Sequence, residues 1–241
     1  MIIMDNTRNM AGVEDMRNMA GTGNMGYMKK SNTEPGAIME FAKTSLGKMQ
    51  RYEVMKRGLD LIGSTVGLVI GTPIVLVFCI LVKMDSPGKV LYSQERLGRY
   101  GKKFLIYKIR SMREDAEKDG AKWAEEHDDR VTKIGKFIRN TRIDELPQII
   151  NILKGEMSIV GPRPEREVFT IQFEQEHPGF VDRLHVKPGL TGWAQVNGGY
   201  DITPKEKLYY DKFYIENRSL ALDFKILFKT VGVIISGDGA R

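Results

Sequence analysis

From Leu61 to Val82 the chain carries no charged residue, a run of 22 positions. As an α-helix at about 1.5 Å per residue it would be roughly 33 Å long, enough to cross the hydrocarbon of a bilayer. A buried core helix is the alternative, but an uncharged run of this length passes the threshold for a membrane segment. Pro73 lies inside the run, and proline removes a backbone donor and clashes with the preceding turn. Arg51, Lys56 and Arg57 stand before the run; Lys83, Lys89, Arg96, Arg99, Lys102 and Lys103 follow it. Lys and Arg beside a membrane segment favour the cytoplasmic side. A straight span would force one basic flank outside, whereas a re-entrant helix broken at Thr72-Pro73 keeps both inside. Re-entrance is therefore the expectation and a kinked single span the alternative. Gly63, Gly67 and Gly71 recur every four residues and form one smooth helical stripe. Such a stripe admits close approach either by the chain's own domain or by a second copy in a homodimer.

The remainder reads as a tail and a water-facing domain. Residues 1–50 are rich in Met, Asn and Gly and are expected to be a disordered or transiently helical tail through about residue 45. No apolar core of secretory length is visible there. The net charge of +6 points to an anionic partner, whether nucleic acid, lipid headgroups or a phosphorylated substrate, without choosing among them. Cys79 is the single cysteine, so no intrachain disulfide can form. Alternating residues at 89–93 and 103–108, around Arg99-Tyr100-Gly101, predict a short β-hairpin. Residues 112–129 are highly charged and predict a solvated helix or loop. Helical stretches are expected at 146–153 and 165–176. Residues 208–217 carry four aromatics and 223–235 alternate apolar blocks with Lys225 and Lys229, pieces that suit a membrane interface or an ordinary core. The fold class is α+β and mostly helical. Residues 51–86 hold the membrane helix and its flanks, 87–236 form a small domain carrying the hairpin, and 237–241 form a C-terminal tail.

Three segments could carry chemistry. In Arg139-Asn140-Thr141-Arg142-Ile143-Asp144-Glu145-Leu146-Pro147, two carboxylates follow two arginines, and Pro147 suits the first turn of a helix. Capping of that helix is one reading of Asp144 and Glu145. The other is functional: a helix start with nearby arginines attracts phosphate, carboxylates hold a hard cation such as Mg²⁺, and an ionised Asp can attack phosphorus. In Val160-Gly161-Pro162-Arg163-Pro164, two prolines fix the backbone of Arg163, which suits bidentate phosphate recognition or simply a stiff turn. The third segment, Lys187 to Gly198, is dense in tight-turn residues around Trp193, a residue that could anchor at an interface, stack on a ring or pack in a core. There is no P-loop, dinucleotide fingerprint, zinc spacing or serine-hydrolase elbow.

Taken in order, Lys56-Arg57-Gly58-Leu59-Asp60, the Pro-containing run, Tyr107-Lys108-Ile109-Arg110-Ser111-Met112, Asp144-Glu145-Leu146-Pro147-Gln148, Val160 to Pro164 and Lys187 to Gln195 resemble the bacterial sugar transferases. These are monotopic polyprenyl-phosphate hexose-1-phosphate transferases, and the likeness covers about residues 51 to 236. The resemblance implies a bacterial inner-membrane enzyme with its catalytic face in the cytoplasm and a dependence on Mg²⁺. Its partners would be a UDP-sugar, undecaprenyl phosphate and membrane lipids; nucleic acid is not among them. Carried over residue by residue, it makes Asp144 the nucleophile that releases UMP and Glu145, with Asp144, the Mg²⁺ site. It gives Arg139 and Arg163 the phosphates and places Lys108 and Asp211 as polar neighbours. Thr72-Pro73 stands where many members have Ser-Pro at the helix break. A membrane-anchored basic module that binds anionic lipid or an acidic partner without catalysis is the alternative.

Overall fold

A computed structural model describes residues 35–118, 128–199 and 202–236. The expected tail up to residue 34, the middle of the charged 112–129 segment and residues 237–241 lie outside the described residues. The first helix, α1, runs Pro35–Asp85. It therefore starts inside the stretch expected to be a disordered or transiently helical tail, and the composition accounts for its helical end. Ala37, Met39, Glu40, Ala42, Lys43 and Leu46 are good helix formers, while most Gly and Asn of the tail precede them. The unit from Tyr52 onward holds all that follows.

The helix continues through Pro73. Its hydroxyls turn back on its own carbonyls, Thr65 Oγ1 on Leu61 O at 2.8 Å and Thr72 Oγ1 on Leu68 O at 2.6 Å, which satisfies polar groups without water. Only 11% of its most apolar 18-residue window is buried, so it is not the core helix of a soluble protein. The glycine stripe faces the chain's own domain. A Cβ on Gly63 would lie 2.7 Å from Ile159 Cδ1 and one on Gly67 3.1 Å from Ile149 Cδ1. Of the two partners left open by the sequence, the domain occupies the stripe.

After α1 come the strands β1 (Leu91–Leu97) and β2 (Lys103–Ile109), joined by a 3-10 turn at Arg99–Gly101. They pair antiparallel from Leu91 with Ile109 to Leu97 with Lys103. The hairpin is as expected, with its first strand reaching four residues beyond 93. The two-residue pleat turns Phe104 and Ile106 onto a core with Ile152 and Met157. Helix α2 (Lys133–Asn140) is capped by Thr132, whose hydroxyl accepts from Gly135 N at 3.0 Å. A 3-10 turn, Ile143–Gln148, leads directly into α3 (Ile149–Lys154). Further along stand β3 (Ser158–Val160), α4 (Glu167–Glu176), a 3-10 turn at Phe180–His185, β4 (Gly189–Thr191), α5 (Trp193–Gly198), α6 (Pro204–Asn217) and α7 (Leu220–Ser236). Trp193 is buried, stacked on Phe213 at 5.6 Å between ring centres, so of its possible roles packing is the one taken.

The short strands β3 and β4 pair in parallel and lock two of the motif segments together. Their glycines make this possible. A Cβ on Gly189 would collide with the backbone of Gly161 and Thr191, and one on Gly161 would come within 2.5 Å of Lys187 O. Backbone cannot step aside as a side-chain tip can. Gly189→Ala should cost about 3 kcal/mol, the upper end of ordinary overpacking. Gly58→Ala, where a Cβ meets nothing within 4 Å, should be neutral or better. Thermal unfolding of the two variants in the same detergent checks this; equal midpoints would contradict it.

Candidate active site

The site is built where the ends of four segments meet. Arg142 takes a left-handed conformation (φ 58°), which turns the chain out of α2 and into the 3-10 turn. The turn carries Asp144 and Glu145 inward, 5% and 6% exposed. Neither acts as a cap: Arg142 and Gln148 hold the N-cap positions of the turn and of α3, with no side-chain cap bond. The capping reading is therefore replaced by a buried pair of carboxylates. Lys108, from β2, reaches Glu145 Oε1 at 3.0 Å and Asp144 Oδ2 at 3.7 Å. Arg163, held between its two prolines after β3, brings both terminal nitrogens to Glu145, NH1 at 3.2 Å from Oε2 and NH2 on Oε1.

The two carboxylates titrate in opposite directions. Burial works against ionisation of Glu145, but Arg163 and Lys108 outweigh it and hold its carboxyl well below the usual glutamate range. Burial pushes the Asp144 carboxyl upward; Lys108 draws it down and the charge on Glu145 pushes it up again, leaving it above its usual value. Arg163 and Arg139 also act on Asp144 through their charge. Glu145 is thus a fixed, neutralised anion. Asp144 keeps the less stabilised and more basic carboxylate, the one better suited to attack an electrophile.

Both acids open on a cavity of about 490 Å³, within the usual size for a small-molecule site. Among the described residues its walls carry twelve Lys and Arg against six Asp and Glu, a surplus of six positive charges. Arg139, Arg163, Lys108, Asp144, Glu145 and Asp211 all line it, so every polar residue singled out from the sequence converges there. The membrane-helix residues Thr72 and Pro73 do not. Such a cavity favours an anionic ligand.

A model of the family described as "Bacterial sugar transferase" matches residues 51–237. The chain belongs to this family. Three curated relatives agree. The UDP-N-acetylgalactosamine-undecaprenyl-phosphate N-acetylgalactosaminephosphotransferase of Aeromonas hydrophila is 45% identical over 79% of this chain and 46% of its own. The UDP-glucose:undecaprenyl-phosphate glucose-1-phosphate transferase of Escherichia coli K12 is 40% identical over 74% and 39%. The undecaprenyl-phosphate galactose phosphotransferase of Salmonella typhimurium is 37% identical over 77% and 41%. The chain thus matches less than half the length of each of these three.

The chain also carries site residues that its sequence did not announce. Arg183, in the 3-10 turn Phe180–His185, pairs with Asp211 Oδ2 at 2.6 Å and donates to the carbonyl of Arg163 at 2.9 Å. Asp211 thereby becomes part of the support behind Arg163. Glu165, directly after the second proline, is buried against Lys207 at 2.8 Å and Arg96 at 3.6 Å. Its adjacency to the Pro-Arg-Pro segment was the one available hint.

Proposed function

We propose that this protein transfers a sugar-1-phosphate from a UDP-sugar to undecaprenyl phosphate. The observation that carries this reading is Asp144 itself, the more basic of two buried carboxylates, facing a cation-lined cavity sized for a nucleotide sugar. An oxygen of Asp144 attacks the β-phosphorus, the bond from that phosphorus to UMP breaks, and the sugar phosphate stays on the aspartate as an acyl phosphate. A phosphate oxygen of the lipid carrier then attacks the same phosphorus. The aspartate leaves with its electron pair, and the product is a diphosphate-linked sugar. Arg163, Arg139 and Lys108 offset the repulsion between a carboxylate and a diphosphate and stabilise the charge on departing UMP. The catalytic turn is rigid on one side because Glu145 is clamped. This first membrane step would feed assembly of a surface glycan such as exopolysaccharide, capsule or O-antigen.

Magnesium fits the donor set in its usual shared manner. Among the described residues no three His, Cys, Asp or Glu side chains gather to form a protein cage. Mg²⁺ is commonly held by one or two carboxylates with phosphate and water completing its shell. Asp144 and Glu145 are the residues that would hold it here, Glu145 less freely because Arg163 and Lys108 engage both of its oxygens. When bound, the ion would neutralise charge on the diphosphate.

A re-entrant, monotopic placement in the cytoplasmic membrane is part of the same proposal. Asp60 accepts from Ser158 Oγ at 3.0 Å and Ile159 N at 2.9 Å, and Asp85 accepts from Ile134 N at 3.1 Å. These contacts lie 25 residues apart on α1. That one folded domain holds the helix near both ends supports a placement with both flanks on the same side of the membrane. The outward face, with Ile62, Val66, Val69, Leu76, Val77 and Ile80 more than half exposed, suits lipid. In a Cys79→Ser background, single cysteines placed before Lys56 and after Lys89 should both label only from the cytoplasm. Labelling from opposite sides would contradict the placement and leave the chemistry standing.

The functional reading is tested with purified protein, Mg²⁺, undecaprenyl phosphate and a panel of UDP-sugars. Release of UMP with at least one sugar is expected. Failure with all of them would favour the non-catalytic basic module.

A further inference from the structure

The acids of the cavity wall differ in what they are tied to. Glu145 is clamped by Arg163 and Lys108, Glu165 by Lys207 and Arg96, and Glu117 pairs with Arg166 at 3.0 Å. Asp211 is satisfied on one side only. Its Oδ2 holds Arg183, while its Oδ1, shut off from bulk solvent, has no hydrogen-bond partner among the described residues. Gln195, on α5, shares this state: its Nε2 donates to Leu190 O at 3.1 Å, and its buried Oε1 has no partner among the described residues. Helices α5 and α6 pack on one another, and both residues line the same cavity. Buried acceptors are costly when left unpaired, and such groups in native proteins generally find a donor. Burial pushes the Asp211 carboxyl above its usual range, with Arg183 offsetting part of that rise, so a further donor would relieve it.

Two acceptors with no hydrogen to give cannot bind phosphate, and the carboxylate would repel it. The donors they suit are hydroxyl groups. We propose that Asp211 and Gln195 receive hydroxyls of the hexose in the donor substrate and so help set which sugar is accepted. The inference rests on the transferase reading above. Its position favours the hexose over the ribose. Arg183 bridges Asp211 to the carbonyl of Arg163, so the acceptor stands one guanidinium away from the residue assigned to phosphate. The phosphorus attacked by Asp144 bears the hexose directly, whereas the nucleoside lies beyond a second phosphate.

The test uses the UDP-sugar found active in the panel and its single-deoxy analogues. Removing the hydroxyl that Gln195 or Asp211 receives should lower kcat/KM of the wild type by about ten-fold or more. That penalty should shrink to within two-fold in Gln195→Leu or Asp211→Leu, because the partner is already gone. Inhibition by UMP should change by less than about two-fold in Gln195→Leu, since the nucleotide lacks the hexose. A deoxy penalty that persists at full size in the variants would overturn the inference, as would loss of UMP inhibition in step with loss of substrate. Should Asp211→Leu lose its fold through Arg183, Gln195→Leu decides by itself. An active wild type with additive losses sinks this inference alone; a wild type that releases no UMP from any sugar sinks the transferase reading and the inference with it.

Discussion

Replacing Asp144 by Asn should abolish UMP release from every UDP-sugar, a loss of more than about 10³-fold, as expected when a covalent nucleophile is removed. The amide keeps the shape of the side chain and loses the electron pair that attacks phosphorus. The wild type should also show an acid limb in its pH–rate profile above the pH of an ordinary aspartate, because Asp144 must be ionised to attack and its carboxyl is raised. Glu145 is one of the groups raising it, and Glu145 also occupies Lys108 and Arg163, which would otherwise draw it down. In Glu145→Gln the acid limb should therefore move to lower pH, whatever activity is lost. A limb that stays in place would show that the titrating group is not Asp144.

The second large effect is expected at Arg163. Its guanidinium meets Glu145 through two nitrogens, its backbone is fixed by Pro162 and Pro164, and its carbonyl is held by Arg183. A lysine would keep the charge and lose the planar fork. Arg163→Lys should lower kcat by about 10²-fold, the scale of one missing transition-state donor. It should also loosen Glu145, whose depressed carboxyl depends on Arg163 before Lys108. Steady-state kinetics with saturating UDP-sugar separates this from weaker binding. A change confined to KM would mean that Arg163 binds the ground state and the transition state equally and adds nothing to the chemical step.

Much of this site was legible in the sequence because local rules act on it. Pro147 marks the start of a helical stretch, Pro162 and Pro164 stiffen Arg163, and the uncharged run stands out by length alone. The hairpin followed from alternation. Long-range pairing is what local pattern could not reveal. Arg183 sits in an unremarkable turn, and its partner Asp211 lies 28 residues further on, so nothing near either residue signals the pair. The glycine stripe had two eligible partners until Ile149 and Ile159 were found against it. Capping was the simpler account of two acids before a proline, and it gave way because the left-handed Arg142 turns both carboxylates into the cavity rather than along the helix start.

The central claim is that Asp144 itself becomes phosphorylated before any lipid arrives. The most direct measurement mixes purified protein and UDP-sugar with Mg²⁺ and no undecaprenyl phosphate, then follows UMP and the intact mass of the protein. One equivalent of UMP should appear in a burst, the protein should gain the mass of the sugar phosphate on the peptide containing Asp144, and adding the lipid should discharge it. UMP release that begins only when undecaprenyl phosphate is present, with no added mass at any time, would contradict the account.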